Sequence, residues 1–399
     1  MVRTASLFSQ LLDQISREQF TALVQKHGAE RYAKGFSTWT QLVSMLFCQL
    51  ARADSLREIC NGLACSQGRL VHVGVGDSPC RSTLAYANGH RPAALFEAVF
   101  WETLDRFRRT GMLGHHKPFR FKNKLLSLDA TTVTLCLSVF PWASYQRSKG
   151  GIKLHVLLSH DDYLPEFVHL SEARHSDLRV IEHLPPLKPG SIVVLDRGYV
   201  DFDVLASWAK AGVFFVIRSK SNIELVRTEA RPLKPGRILS DDLVIRMTEM
   251  TSTKKFPVPL RRVIAWDLNR GESVVFLTNN LSLSAGTIAD IYRDRWKIEL
   301  FFKSLKQNLK IKTFVGTTEN ALRIQIWTAL LALLLLKWLH FRSRAGWSLS
   351  NLAAMLRLNL FTYRDLATWL DNPFGTPPES PPFEQLSLPL TPLGQLAPL

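Results

Sequence analysis

Glu299 stands in the segment IYRDRWKIELFFKSLKQNLKIK, where it is a single carboxylate among cations. Read as one helix turning roughly 100° per residue, the segment puts Tyr292, Arg295, Glu299, Lys303, Lys306 and Lys310 within an arc of about 80°. The opposite stripe (Ile291, Ile298, Phe302, Leu305 and Leu309) is apolar and can seat the helix on a core. A solvated, salt-bridged face is the plain reading of such a charge run. Here cations outnumber the acid and an aromatic hydroxyl joins the row. That combination suits a polyanion lying along an exposed ridge, with one carboxylate holding a metal ion against it.

Two aspartates match Glu299 in kind. Asp129 lies at the end of LLSLD and Asp196 at the end of SIVVLD, each after a run of strand-forming residues. The ends of the first and fourth strands of an open sheet are neighbours, and a following helix can bring Glu299 beside them. Turn or helix-cap roles are the alternatives, and for Asp129 the strand can simply run on through Thr131 and Val133. Carboxylate oxygens are the hard ligands that Mg²⁺ and Mn²⁺ prefer. Two such ions can activate an attacking oxygen and stabilise the leaving one in an in-line phosphodiester displacement.

The elements needed to hold these acids are legible in outline. Residues 1–112 read as helical, with breaks at Gly35-Phe36-Ser37, Gly62 and Gly74–Pro79, and Ser55 with Glu58 forms a capping box. From Lys124 the pattern changes to strands: LLSLDATTV, IKLHVLLSH, LPEFVHLSEA, SIVVLD and, after a helix over about 201–211, VFFVIRS. RRVIAWDL and SVVFLTNN, joined by a turn at Asn269-Arg270-Gly271, form a β-rich insertion before the Glu299 helix. The expected division is 1–112 helical, 113–219 the first part of an α/β core, and 220–286 the insertion. The Glu299 helix follows over 287–315, then a helical region over 316–372 and a flexible tail over 373–399. His155, His175 and Asp177 read as satisfied polar residues at turns and stay outside the site.

A formal net charge of +16 points to a polyanionic partner, while 46% hydrophobic and 21% charged residues describe a folded chain. The five cysteines are scattered without metal-binding spacing and read as buried thiols of a reducing cytoplasm. The run Ile324 to Leu336 is about 13 residues, short of a bilayer span, and reads as a core helix, so no membrane partner is expected.

Tyr292, Arg295, Glu299 and Lys306 also meet, without a gap, the Tyr-Arg-Glu-Lys signature of bacterial insertion-sequence transposases of the DDE type, in the insertion sequence four family. Asp196-Arg197-Gly198-Tyr199 and Asp129-Ala130-Thr131 resemble that family's other acidic motifs, and the likeness runs from about residue 5 to 372. It implies an α/β fold with a ribonuclease-H-like catalytic core, interrupted by the β insertion and flanked by helical regions. It further implies that Asp129, Asp196 and Glu299 are catalytic and bind Mg²⁺, with Mn²⁺ as a substitute. The partners implied are double-stranded DNA, as terminal inverted repeats and target, and a second copy of the chain in a synaptic homodimer. Tyr292, Arg295, Lys303 and Lys306 would contact DNA. Some family members pass through a hairpin aided by an aromatic wedge from the insertion. Trp266 is the candidate wedge, against the simpler reading of a buried strand tryptophan. A non-transposing nuclease on the same core and a transposase-derived DNA-binding regulator are the rival readings.

Overall fold

The computed structural model describes residues 5–375 except 32, 34, 67, 115–117, 137–139, 147–148, 221–222, 234–235, 247–255, 268–270 and 312. The hairpin turn at Asn269-Arg270 and the tail beyond residue 375 lie outside the described residues.

The strand pattern from Lys124 folds as one sheet. Strands β1 (Leu125–Leu135), β2 (Ser144–Gln146), β3 (Lys149–Ser159), β4 (Pro165–Glu172), β5 (Ile192–Leu195) and β6 (Phe214–Arg218) come first. β3 lies antiparallel between β1 and β4, while β1, β5 and β6 run parallel, with helix α7 (Phe202–Lys210) crossing between the last two. β5 is four residues long and wholly buried, as a central parallel strand covered on both faces must be.

The segment expected as an insertion contains four strands: β7 (Leu225–Ala230), β8 (Ile238–Arg246), β9 (Leu260–Asp267) and β10 (Glu272–Thr278). β10 pairs antiparallel with β6, so these strands prolong the main sheet in the order β6-β10-β9-β8-β7. A buried Arg261–Asp241 pair, with Nε–Oδ1 at 2.8 Å, ties β9 to β8. The sequence reading missed β7 and β8, whose charged residues break the apolar alternation.

The helices α1 (Leu7–Leu12), α2 (Arg17–Lys26), α3 (Thr38–Ala51), α4 (Leu56–Ala64), α5 (Arg81–His90) and α6 (Ala93–Arg109) form one body with helices from the far end of the chain. Gly62 does not break α4, which runs through it. The Ser55 hydroxyl caps α4 by accepting from the Glu58 N–H at 3.2 Å, and the Glu58 carboxylate accepts from the Asp54 N–H at 2.8 Å. Helices α8 (Ala285–Asp294), α9 (Trp296–Asn308), α10 (Glu319–Arg342), α11 (Leu349–Asn359) and α12 (Leu366–Asp371) complete the described chain.

By length and composition α10 could cross a membrane, yet 83% of its most apolar window is buried inside the protein. It packs against α3, α5 and α6. Its polar interruptions have work: Gln325 donates to the Lys310 and Thr313 carbonyls at 2.6 and 2.8 Å, and Asn320 donates to the Asn88 and Arg91 carbonyls at 2.8 and 2.7 Å. Cys48 and Cys60 are buried, but Cys65, Cys80 and Cys136 are exposed, against the expectation of buried thiols.

This packing bears on the expected 1–112 unit. Its helices share one apolar core with α10, which lies more than 200 residues later in the chain and packs on α3, α5 and α6. A fragment ending at residue 112 is therefore expected to lack a cooperative melt by circular dichroism and to expose apolar surface, whereas the full chain melts cooperatively. A sharp transition in the fragment would show that these helices carry a core of their own.

Candidate active site

Asp129 is not at a strand end, because β1 continues to Leu135 along β3. Its parallel pairing with β5 does end there, with Leu128 opposite Leu195 as the last pair. Asp129 and Asp196 each follow that pair by one residue, so they stand side by side where the two strands part. Asp196 ends β5 by capping the turn at Arg197–Tyr199: its Oδ1 accepts from the Arg197 N–H at 2.7 Å. The cap reading thus holds at Asp196, and the cap leaves it beside Asp129.

The Glu299 segment is two helices, not one. α8 ends at Asp294, Arg295 forms a tight turn, and α9 begins at Trp296. The break places Glu299 in the first turn of α9, where the helix dipole favours a negative charge. Ile291, Ile298, Phe302, Leu305 and Leu309 are all buried, as their spacing predicts.

The polar face departs from the expected open ridge. Arg295 turns inward, its side chain only 11% exposed, and bridges the acids: Nη1 to Asp129 Oδ2 at 2.8 Å, Nη2 to Glu299 Oε1 at 3.3 Å. Its Nε is buried without a hydrogen-bond partner. The Tyr292 hydroxyl donates to Asp196 Oδ1 at 3.2 Å. Lys306 donates to the Thr132 carbonyl at 3.1 Å, and Lys310, beyond the end of α9, pairs with Asp54 of the helical body. Lys303 is exposed. The row reads as free cations from sequence because local spacing does not show which partners the fold brings opposite them.

Electrostatics follow from this enclosure. Burial pushes the Asp129 carboxyl up to about 6; the nearby Arg295 charge opposes that rise, and the charges of Glu299 and Asp196 add to it. Burial likewise raises the Tyr292 phenol to about 12, keeping it a hydrogen-bond donor. The cluster is a group of acids short of positive charge, with one guanidinium supplying it. Its donor set of hard carboxylate oxygens fits a divalent cation. Among the described residues, however, no three His, Cys, Asp or Glu side chains are gathered closely enough to hold one ion. Arg295 lies between two of the acids that would close on it.

Trp266 is 42% exposed near the end of β9, two strands from β6, so it is not the buried strand residue of the simpler reading. Trp296, which sequence reasoning did not single out, is 56% exposed and adjoins Arg295. Its only sequence signal was its place beside the signature, since one tryptophan on an amphipathic helix is ordinarily core. His155 is buried and shares a hydrogen bond with the Ser171 hydroxyl at 2.9 Å.

Comparison with known proteins adds to this geometry. Residues 120–335 match the family model described as a transposase DDE domain, and residues 3–76 match a domain of unknown function, DUF4372. A protein of Sinorhizobium fredii named as a transposase is 30% identical over 308 residues, 76% of this chain and 83% of the relative. One of Geobacillus stearothermophilus, named for insertion sequence element IS5377, is 36% identical over 233 residues, 57% of this chain and 60% of the relative. One of Synechocystis, named for insertion sequence element IS4SA, is 30% identical over 206 residues, 49% of this chain and 51% of the relative.

Proposed function

Because the chain belongs to the DDE transposases of insertion sequences, we propose that it binds the terminal inverted repeats of its element, cleaves the DNA there and joins the ends to target DNA. The observation that carries this reading is the gathering of Asp129, Asp196 and Glu299, from three distant segments, around Arg295 and Tyr292. The strand order β4-β3-β1-β5-β6, antiparallel in its first three members and parallel in its last three, supports a ribonuclease-H-like core.

Enzymes with this domain generally use divalent metal ions. In our reading Asp129, Asp196 and Glu299 hold Mg²⁺, or Mn²⁺ in its place, since carboxylate oxygens are the hard ligands these cations prefer. Two ions there would supply activation of the attacking oxygen and stabilisation of the leaving oxygen. The protein's own groups position the DNA. Arg295, with one donor unpartnered, is placed to move from the acids to a phosphate beside the scissile bond, where a guanidinium can bind two oxygens at once. Tyr292 orients Asp196 through its hydroxyl. Lys303 and Lys306 extend the cationic track along α9, and Trp266 and Trp296 offer exposed rings on which an unpaired base can stack. The helical body reads the transposon end, and a second copy of the chain completes the synapse of two ends.

Incubating the full chain with a labelled transposon end and resolving the products on denaturing gels tests the proposal. Nicked and joined products are expected with Mg²⁺ or Mn²⁺ and none with chelator. End binding without nicking would favour the regulator reading, and nicking without joining the nuclease reading.

A further inference from the structure

One enclosed polar chain lies beside the carboxylate cluster without belonging to it. The Ser127 hydroxyl and His160 Nε2 are 2.7 Å apart, and His160 Nδ1 lies 2.6 Å from Asp294 Oδ2. Ser127 is 0% and His160 1% exposed. These are the residue types and distances of a hydrolase's serine triad. Here the serine is sealed in the sheet, so no acyl substrate can reach its oxygen, and a nucleophilic role fails on access.

The places these residues occupy say what they do instead. Ser127 precedes Asp129 by two residues on β1, so both side chains leave the same face of the strand. Asp294 is the last residue of α8, immediately before Arg295. His160 follows β3, with its N–H donating to the Leu125 carbonyl at 3.0 Å. An ionised carboxylate only accepts, so Nδ1 carries a hydrogen and donates to Asp294. The imidazole is therefore a strut, one ring wide, between the strand that carries Asp129 and the turn that carries Arg295 and leads to Glu299. The same turn after β3 is held from the helical body: Arg108 of α6 pairs with Asp162 at 2.7 Å, and Lys337 of α10 donates to the Tyr163 carbonyl. The Tyr163 hydroxyl donates in turn to Asp294 Oδ2 at 3.5 Å.

We propose that Ser127, His160 and Asp294 are positioning residues of the transposase reaction: they set the α8–α9 turn against β1, and so keep Glu299 and Arg295 beside Asp129, where the acids can close on a divalent cation once the guanidinium leaves them. The proposal rests on the carboxylate site assigned above. Groups of this kind, which touch neither substrate nor ion but orient the side chains that do, change metal affinity or activity by about ten- to a hundredfold when removed.

The test uses the full chain and the variants His160→Ala, His160→Asn, Ser127→Ala and Asp129→Asn. Four quantities are compared: melting temperature, affinity for transposon-end DNA, Mn²⁺ uptake by DNA-free protein followed by the electron spin resonance of free Mn²⁺, and nicking rate at saturating DNA across a Mn²⁺ series. For His160→Ala, end affinity should stay near wild type, while Mn²⁺ uptake weakens and the Mn²⁺ needed for half-maximal nicking rises about tenfold or more. His160→Asn, which restores a donor towards Asp294, should recover most of that shift. Ser127→Ala, which removes one hydroxyl and leaves a small void, should shift the Mn²⁺ requirement in the same direction by less and keeps the test valid if His160→Ala misfolds. A wild-type Mn²⁺ profile in both, alongside an inactive Asp129→Asn, would overturn the positioning role alone. Full nicking by Asp129→Asn would instead remove the carboxylate site, and the positioning role with it.

Discussion

Asp129→Asn, Asp196→Asn and Glu299→Gln are each expected to reduce end nicking by at least about a hundred- to a thousandfold, with end binding still measurable. The substitutions keep the size and one oxygen of each side chain but remove the charge that would hold a cation and the repulsion that calls for one. Their effects on stability should differ. Asp129 is mostly enclosed, and burial raises its carboxyl to about 6, so at neutral pH the folded chain bears the cost of keeping it ionised. Asp129→Asn removes that cost, but its one oxygen can accept from Arg295 or from the Ala130 N–H and not from both, so the two effects oppose and its melting temperature should stay near the wild-type value. An inactive Asp129→Asn that melts near wild type would identify a group kept for chemistry rather than for the fold. Wild-type nicking by any of the three would remove that residue from the site.

Arg295→Ala should act in both respects. Removing the guanidinium leaves Asp129 and Glu299 facing one another with no cation between them, and breaking a buried pair in this way costs up to about 3–5 kcal/mol. Without metal the variant is expected to melt well below wild type. Added Mg²⁺ should then raise its melting temperature more than that of wild type, because the ion takes over the missing charge. Nicking and joining at saturating Mg²⁺ should still fall about ten- to a hundredfold, the worth of about 1–3 kcal/mol from one charged hydrogen bond to phosphate. Arg295→Lys keeps the charge without the bidentate fork and should recover stability better than rate. Unchanged melting and wild-type rates in Arg295→Ala would show that its bridge to the acids matters to neither the fold nor the reaction.

Much of the site's composition could be read without coordinates. Asp196 follows an apolar run short enough to be a central strand, and the apolar stripe of α9 is local spacing that any helix must bury on one side. The Tyr-Arg-Glu-Lys spacing pointed to the acid that completes the set. The core role of the Ile324–Leu336 run is equally local, since it depends on neighbours within a few turns. Where the reading went astray, long-range contacts decided. Sequence alone could not show that β1 runs on past Asp129, because that depends on β3 lying beside it. Nor could it show the break at Arg295, since the residues around it are good helix formers.

What the sequence by itself determined is the set of chemical groups, their order and the local elements that bear them, because side-chain periodicity and capping act over a few residues. The tertiary structure alone decided what those groups face. It turned Arg295 inward to two acids, joined the β insertion to β6, and buried α3, α5 and α6 against α10. It also linked Ser127, His160 and Asp294 through one ring. Each is a pairing between segments far apart in the chain, set by which surfaces exclude water together and which charges that exclusion leaves to be matched.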